Sequence, residues 1–441
     1  MAVDLSNNTS PCDLNELSVV IMAGGKGTRL SSLGLSIPKP MVQIAGKPIL
    51  EWQLENLAAQ GVQKATIVVS ARSNHIQKHF GQEWTASHDK KECHLIALDY
   101  FIEKEPLGTA GALSLLKAEL KPQILLINGD LVFKVNFRDF LNRHLSHKGG
   151  QCVTLLAQPS DHPFDSALLE VDDNSKVIAW DPPGEKRNDY RNLANSGLHL
   201  MARDCIPDNC QDEKMRPRDL DRELLHPLFQ QDLLYAYISC EYVRDAGTPQ
   251  RLAAIEEDIK QEIPKRLSGE SLRKAIFLDR DGTINRQVGY VTSPEQLELI
   301  AGTSKAIAQM RRLGYVVIVI TNQAAVQRGT ITAARLEEIH KRLETLLGDE
   351  GSYVDAMYYC PHAPEHNCAC RKPLPGMILA AARDYKIDLA ASWMIGDAAS
   401  DMQAGQTAGC KLASVGGLKM KDIAHYENLL EFAEVELCTK D

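Results

Sequence analysis

The stretch Phe277-Leu-Asp-Arg-Asp-Gly-Thr-Ile-Asn285 decides how this chain is read. It continues an apolar run from Ala275, so it opens as a buried strand and leaves as a loop. Asp279 and Asp281 exit two residues apart. On an extended backbone, residues i and i+2 point the same way, so both carboxylates can face one pocket. Gly282 then permits a sharp turn. Two like charges this close repel unless a cation sits between them or one keeps its proton. The arrangement suits a Mg2+ site with one nucleophilic carboxylate and one that exchanges protons. A bare Asp-x-Asp is more often a solvated turn, and the nine-residue string with its downstream partners reverses that balance.

Those partners belong to an α/β alternation that begins at Ala275. Tyr315-Val-Val-Ile-Val-Ile320 and Ser392-Trp-Met-Ile395 are further strands, each running into polar residues. Between them lies Cys360-Pro-His362, then five residues, then Cys368-Ala-Cys370. Three thiolates and one imidazole at this spacing suit a closed, tetrahedral zinc site. The alternative is a loop with reduced cysteines. Arg371 and Lys372 follow the last thiolate directly, so a structural zinc would fix the position of these two cations.

Asp279-Arg-Asp-Gly-Thr283 resembles the signature of the haloacid dehalogenase phosphatase superfamily. The resemblance implies that Asp279 attacks phosphorus and that Asp281 serves as acid and then base. It also implies that Thr321 binds the phosphoryl group, that Lys372 is catalytic beside Arg371, and that Asp279, Asp281 and Asp397, near Asp401, hold Mg2+. With the zinc loop, Gly289-Tyr-Val291 and Thr321-Asn-Gln323, the segment from about Ala275 to Gly417 looks like the D-glycero-D-manno-heptose 1,7-bisphosphate phosphatases. That likeness assigns substrate contacts to Gln287, Val288, Gly289, Tyr290, Thr321, Asn322, Gln323, Ala324 and Arg371. Arg328-Gly329 also matches, whereas Ala324-Ala325 departs from the usual Ser-Gly. Histidinol-phosphate phosphatases share the zinc-bearing pattern.

Upstream, Leu17 to Asp258 reads as a separate domain. Val19–Met22, Ala65–Val69, Ile124–Ile127 and Val153–Leu156 are strand candidates, and Ile49–Gln60 and Ala110–Leu120 have helical spacing. The pattern predicts a mostly parallel sheet with helices on both faces. After the first strand comes Ala23-Gly-Gly-Lys-Gly-Thr-Arg-Leu30. Its glycines allow backbone N–H groups to approach an anion, and Lys26 and Arg29 add positive charge. The loop is neither a Walker A sequence nor the dinucleotide fingerprint, and a Gly-rich turn alone is as often structural.

Together with Pro38-Lys-Pro-Met41 and Gly46-Lys-Pro48, the loop resembles the sugar-1-phosphate nucleotidyltransferases. The resemblance implies a nucleoside triphosphate held by Gly24, Gly25, Gly27, Thr28 and Arg29, with Lys39 at the reacting phosphate and Arg29 and Lys39 catalytic. Gly108 and Thr109 would contact base and sugar, Asn195 the sugar, and Asp130 and Asp245 a second Mg2+. The family's usual Glu-Lys-Pro is replaced by Trp180-Asp-Pro-Pro183. Asp181 could stand in for the Glu, and Lys186 lies in a differently placed loop.

The resemblances thus imply two α/β domains. One is an N-terminal Rossmann-like nucleotidyltransferase with a mixed, mostly parallel sheet, and the other a C-terminal haloacid dehalogenase-like Rossmannoid phosphatase. The boundaries expected are an arm (1–16), the transferase (17–258), a charged linker (259–274) and the phosphatase (275–441). The helically spaced tail is either a packing helix or a homo-oligomer contact. A net charge of −9 argues against nucleic-acid partners and against a basic membrane patch. No apolar run is long enough to span a bilayer, and a polar, acidic start with eleven scattered cysteines suits a reducing cytoplasm. Fusion of the two activities implies heptose 1,7-bisphosphate dephosphorylation followed by transfer of GMP from GTP. Other sugar phosphates, histidinol phosphate or another triphosphate are alternatives, as is a nucleotide-sugar-binding regulatory domain on an active phosphatase.

Overall fold

A computed structural model of the chain describes residues 13–24, 37–70, 74–86, 94–184, 187–208 and 217–438. Two compact units are present. The first holds residues up to Ala157, Glu170–Trp180 and Asn195–Lys260; the second holds Gln158–Leu169, Asp181–Ala194 and Gln261–Asp441.

The first unit is organised on Leu17–Met22, an apolar strand that pairs in parallel with Lys64–Ser70 and with Gln123–Asn128. It lies inside a ten-stranded sheet whose other central neighbours are Leu95–Glu103 and the antiparallel Ala194–Ala202. The four strands expected here all form, each slightly longer than its apolar run. The helix Ile49–Ala59 buries Leu50, Leu54 and Leu57 against the sheet, and Gly108–Leu116 is the second expected helix. A separate antiparallel ladder joins Leu131–Lys134 to Tyr242–Asp245. Of the expected arm, residues 13–16 are described: Leu14 is buried, and Asn15 bonds to Gly61 and Gln63.

In the second unit six strands run parallel in the order Ala356–Cys360, Val316–Asn322, Ala275–Leu278, Trp393–Gly396, Lys411–Val415, Ala424–Tyr426. Ala275–Leu278 is buried at every position, as a central strand covered on both faces must be. Full burial of a side chain such as Phe277 contributes about 1.5–3 kcal/mol. The tail packs: Leu429, Phe432, Ala433 and Leu437 all enter the core.

The segment read as linker is more ordered than its charge suggested. Ile263–Leu267 is a short helix with Ile263 buried, and Arg273 is buried because its guanidinium bonds to the Leu267 and Tyr385 carbonyls. Charge composition alone does not reveal that such a cation will find carbonyl partners.

Candidate active sites

In the second unit, the carboxyl ends of neighbouring parallel strands converge, where ligands bind in sheets of this kind. Asp279 leaves the central strand, and its N–H bonds to the Ile395 carbonyl at 2.9 Å. Asp397 leaves the next strand, and Asp401 sits in the first turn of the helix Ala399–Ala408. One oxygen from each of Asp279, Asp397 and Asp401 lies within 4.8 Å of the others. Two glycines make this approach feasible. A Cβ on Gly282, whose φ is +89°, would stand 2.0 Å from Asp397 Oδ2, and one on Gly396 would stand 2.2 Å from Asp401 Oδ2.

Lys372 supplies the buried counter-charge. Its Nζ lies 2.7 Å from Asp279 Oδ1, 2.7 Å from Asp401 Oδ1 and 2.7 Å from the Ile320 carbonyl, and the residue is only 3% exposed. Burial alone would lower the lysine's pKa, but Asp279 and Asp401 outweigh it and the net shift is upward. Burial drives Asp279 to about 6, with Lys372 pulling back and Asp401 pushing further. Burial also drives Asp397 to about 6, followed by repulsion from Asp279. Crowded hard oxygen donors that resist ionising together are chemically suited to Mg2+, which would supply the missing charge.

Asp281 is arranged differently. Its carboxylate accepts from Arg280 Nη2 at 2.8 Å, Asn285 Nδ2 at 3.0 Å and Gln323 Nε2 at 2.9 Å. It therefore stands outside the Asp279–Asp397–Asp401 group, although the sequence reading placed it among the metal ligands and left Asp401 at the margin. Asp401, which also pairs with Lys372, joins Asp279 and Asp397 in that group, while Asp281 is held by Arg280, Asn285 and Gln323. Gln323 also donates to Thr321 Oγ1 at 2.8 Å, so one amide links Asp281 and Thr321. Asn322 brackets the backbone of Lys372, donating to its carbonyl at 3.0 Å and accepting from its N–H at 3.1 Å. Ala324 is buried and its carbonyl caps the turn to Arg328, so its side chain contributes packing. In the loop Gln287–Tyr290, Val288 and Tyr290 are exposed, Gly289 has φ +81°, and the Tyr290 hydroxyl accepts from Arg328.

Cys360, His362, Cys368 and Cys370 close into one cage. Their Sγ and Nδ1 atoms approach at 3.3–3.5 Å along five of the six edges. Four soft or borderline donors with this mutual spacing fit a tetrahedral zinc and no open catalytic position. The cage is tied to the strand-end loop beside it: Gln323 N–H bonds to the Cys360 carbonyl at 2.7 Å, and Ala363 N–H to Gln327 Oε1 at 2.6 Å. Arg371 Nη1 reaches the His362 carbonyl at 3.0 Å. The loop thus delivers Arg371 and Lys372 from a pinned base.

In the first unit, Gly24 is described; Gly25, Gly27, Thr28 and Arg29 lie outside the described residues. Gly24 packs on Glu103, whose Oε2 would be 2.5 Å from an added Cβ. Burial raises the pKa of this carboxylate against the Leu107 N–H that steadies it. The sequence reading gave Glu103 no role, since nothing local distinguishes it from a strand-end surface acid. Gly129 lets the next strand end touch the first, with its N–H 3.0 Å from the Met22 carbonyl. Asp130 follows, and its carboxylate ion-pairs with Lys39. The antiparallel ladder sets Asp245 opposite Leu131, and Ala246 N–H bonds to the Asp130 carbonyl at 2.9 Å. Two acids remote in sequence are therefore neighbours, each facing a cation: Asp245 Oδ1 accepts from Arg251 at 2.7 Å.

Gly108 takes φ +75° against the Arg218 backbone, and Thr109 Oγ1 accepts from Leu220 N–H at 2.8 Å. Asn195 Oδ1 accepts from Gly197 N–H at 3.1 Å. Asp181, part of the second unit, pairs with Arg187 Nε at 2.9 Å, and that guanidinium also binds the Ser166 and Pro182 carbonyls. Lys186 lies outside the described residues.

The family described as nucleotidyl transferase matches residues 18–262, and that described as HAD-hydrolase-like matches residues 369–427. A D-glycero-beta-D-manno-heptose-1,7-bisphosphate 7-phosphatase from Helicobacter pylori strain J99 is 47% identical over 139 residues, 31% of this chain and 80% of that protein. Its namesake from Escherichia coli K12 is 45% identical over 138 residues, 30% of this chain and 72% of that one. Among solved structures, HddC from Yersinia pseudotuberculosis is similar at 26% identity, covering 55% of this chain and 99% of that one with a TM-score of 0.46. Fold and sites define a two-domain α/β enzyme, a nucleotidyltransferase joined to a haloacid dehalogenase-like phosphatase. The chain belongs to the nucleotidyl transferase family and, in its phosphatase portion, to the family of the heptose-1,7-bisphosphate 7-phosphatases.

Proposed function

We propose that this chain makes a nucleotide-activated heptose in two steps. The phosphatase removes the 7-phosphate of D-glycero-D-manno-heptose 1,7-bisphosphate. The transferase then joins the resulting 1-phosphate to GMP drawn from GTP. One observation carries the reading: a stretch 47% identical to a 7-phosphatase is fused to a nucleotidyl transferase domain. The product that the first reaction leaves carries the 1-phosphate that the second chemistry requires. GTP as donor rests on the motif resemblance alone.

For the phosphatase, Asp279 attacks the 7-phosphorus while Asp281 gives a proton to the departing sugar oxygen. The aspartyl phosphate is then hydrolysed by a water that Asp281 deprotonates, which restores both carboxyls. Lys372 and Arg371 hold the phosphoryl oxygens, and Thr321 offers its hydroxyl. Asp279, Asp397 and Asp401 would hold Mg2+, which offsets charge on the transferring group. For the transferase, Gly24, Gly25, Gly27, Thr28, Arg29 and Lys39 align and neutralise the triphosphate, while Asp130 and Asp245 would hold a second Mg2+. The acceptor 1-phosphate oxygen attacks the α-phosphorus and pyrophosphate leaves. The work belongs to the cytoplasm, where both phosphorylated substrates occur; no helix among the described residues is long and apolar enough to cross a membrane.

The test is product analysis with each anomer of heptose 1,7-bisphosphate, Mg2+ and each of the four nucleoside triphosphates in turn. Formation of GDP-heptose with GTP is expected, and folded protein that yields none defeats the reading. The commitment of Asp181 to Arg187 favours one rival, a domain that binds a nucleotide-sugar without making it. Tight binding without pyrophosphate release would establish that rival.

A further inference from the structure

Two segments inside the nucleotidyl transferase match, Gln158–Leu169 and Asp181–Ala194, belong structurally to the second unit. They are held there by one face of the long helix Ala333–Asp349. Arg191 is the anchor. Its Nε and Nη2 reach the two oxygens of Glu337 at 2.5 and 2.6 Å, and its Nη1 reaches Glu344 Oε1 at 2.7 Å. The other Glu344 oxygen accepts from Asn192 N–H at 2.6 Å. At the next residue, Thr345 Oγ1 accepts from Tyr190 N–H at 3.0 Å and donates back to the Lys341 carbonyl.

The helix surface is shaped for this contact. Residues 337, 344, 345 and 348 recur at helical spacing and share a face. Glycine weakens a helix interior, yet a Cβ on Gly348 would stand 2.3 Å from the Tyr190 hydroxyl and 3.3 Å from Pro163. Tyr190 itself packs with Leu168, Ala194 and Phe164. The Asn192 amide pins the other segment, donating to the Ser160 carbonyl at 2.7 Å and accepting from Ser160 N–H at 2.9 Å. A buried ion network is a poor stabiliser compared with apolar packing, but it specifies one geometry. Here the geometry belongs to the residues that run directly into Asn195.

We propose that the helix Ala333–Asp349 positions the acceptor strand of the transferase, with Arg191 as the positioning residue. The inference rests on the transferase reading above, in which Asn195 touches the sugar. Arg191, Glu337, Glu344 and Gly348 touch no substrate in that reading. They act by fixing where Ala194–Leu198 begins, and a displacement of about 1 Å at a substrate-holding group can cost up to about a hundredfold in rate.

The experiment uses the full chain with Arg191→Ala, Arg191→Lys and Glu344→Gln. Transfer kinetics are measured with heptose 1-phosphate and GTP, and amide hydrogen exchange is followed over residues 187–202. In Arg191→Ala, KM for heptose 1-phosphate should rise about tenfold while KM for GTP and kcat stay within about twofold. Arg191→Lys should recover part of the loss, and exchange at Asn195–Leu198 should quicken. An unchanged KM for heptose 1-phosphate, or an equal rise for both substrates, overturns the proposal. If Arg191→Ala fails to fold, Glu344→Gln carries the same comparison. If wild-type protein makes no nucleotide-sugar, the functional reading fails separately, and exchange at Asn195–Leu198 that does not respond to either variant overturns this one.

Discussion

The phosphatase and transferase sites both gather carboxylates at strand ends, but they hold them by different means. Around Asp279 a single buried lysine serves two acids at once, and glycine at 282 and 396 lets the oxygens crowd. Around Asp130 and Asp245 each acid has its own cation, Lys39 or Arg251, and both sit partly in solvent. The first arrangement stores repulsion for a divalent cation to relieve. In the second each cation is already paired with an acid, so an anion that binds there must compete with those pairs. The phosphatase site is thus assembled around the charge it lacks, and the transferase site around charges it must redirect.

The largest expected effect separates the two chemistries. Asp279→Asn removes the proposed nucleophile and should lower phosphate release by about 10⁴-fold or more. Transfer to supplied heptose 1-phosphate should continue, and loss of both activities would contradict separate sites. Next, Lys39→Met should cut transfer by about 10²–10³-fold through lost charge stabilisation, with phosphate release unaffected. Stopped assays on both substrates check this pair.

Breaking the shared lysine tests the difference through stability. Lys372→Met leaves Asp279 and Asp401 buried without their partner and should cost about 3–5 kcal/mol in denaturant unfolding of the metal-free protein. Mg2+ should restore more stability to this variant than to wild type. The smallest effect concerns pH. Asp279 and Asp397 have folded pKa values raised to about 6. Their favourable contribution is therefore complete below the unfolded value near 4 and is lost as pH climbs through 6. Mg2+ prefers the ionised acids, so the rise in Tm that it produces should grow between pH 5 and pH 7. At a hundred times its Kd the gain is about 2.7 kcal/mol. A Mg2+ shift independent of pH would remove the repulsion argument.

Much of this was legible because the chemistry lies where apolar runs stop. Asp279, Thr321 and Asp397 each follow such a run, and period and polarity mark the junction. The gathering of Cys360, His362, Cys368 and Cys370 was legible from ligand type and spacing. What escaped was contact between residues remote in sequence. Arg280 reads as the spacer of Asp-x-Asp, yet it is fully buried and grips Asp281. Arg191 looks like a loop cation beside several others, and only the fold shows that Glu337 and Glu344 wait on one helix face. The segment 259–274 was read from its charge, whereas Arg273 is decided by two carbonyls beyond its neighbourhood. Local patterns announce where a strand ends, but not which distant partner will meet a charge.

The knot of Cys360, His362, Cys368 and Cys370 has a practical corollary. Its segment is hydrogen-bonded to the loop that carries Gln323 and Gln327, and that loop also steadies Thr321 and Asp281. A thiol-specific oxidant should therefore loosen the loop that carries Gln323 rather than attack Asp279 or Asp281 directly. The expected outcome is a dial for one half of the catalyst, with phosphate release fading while transfer to supplied heptose 1-phosphate continues.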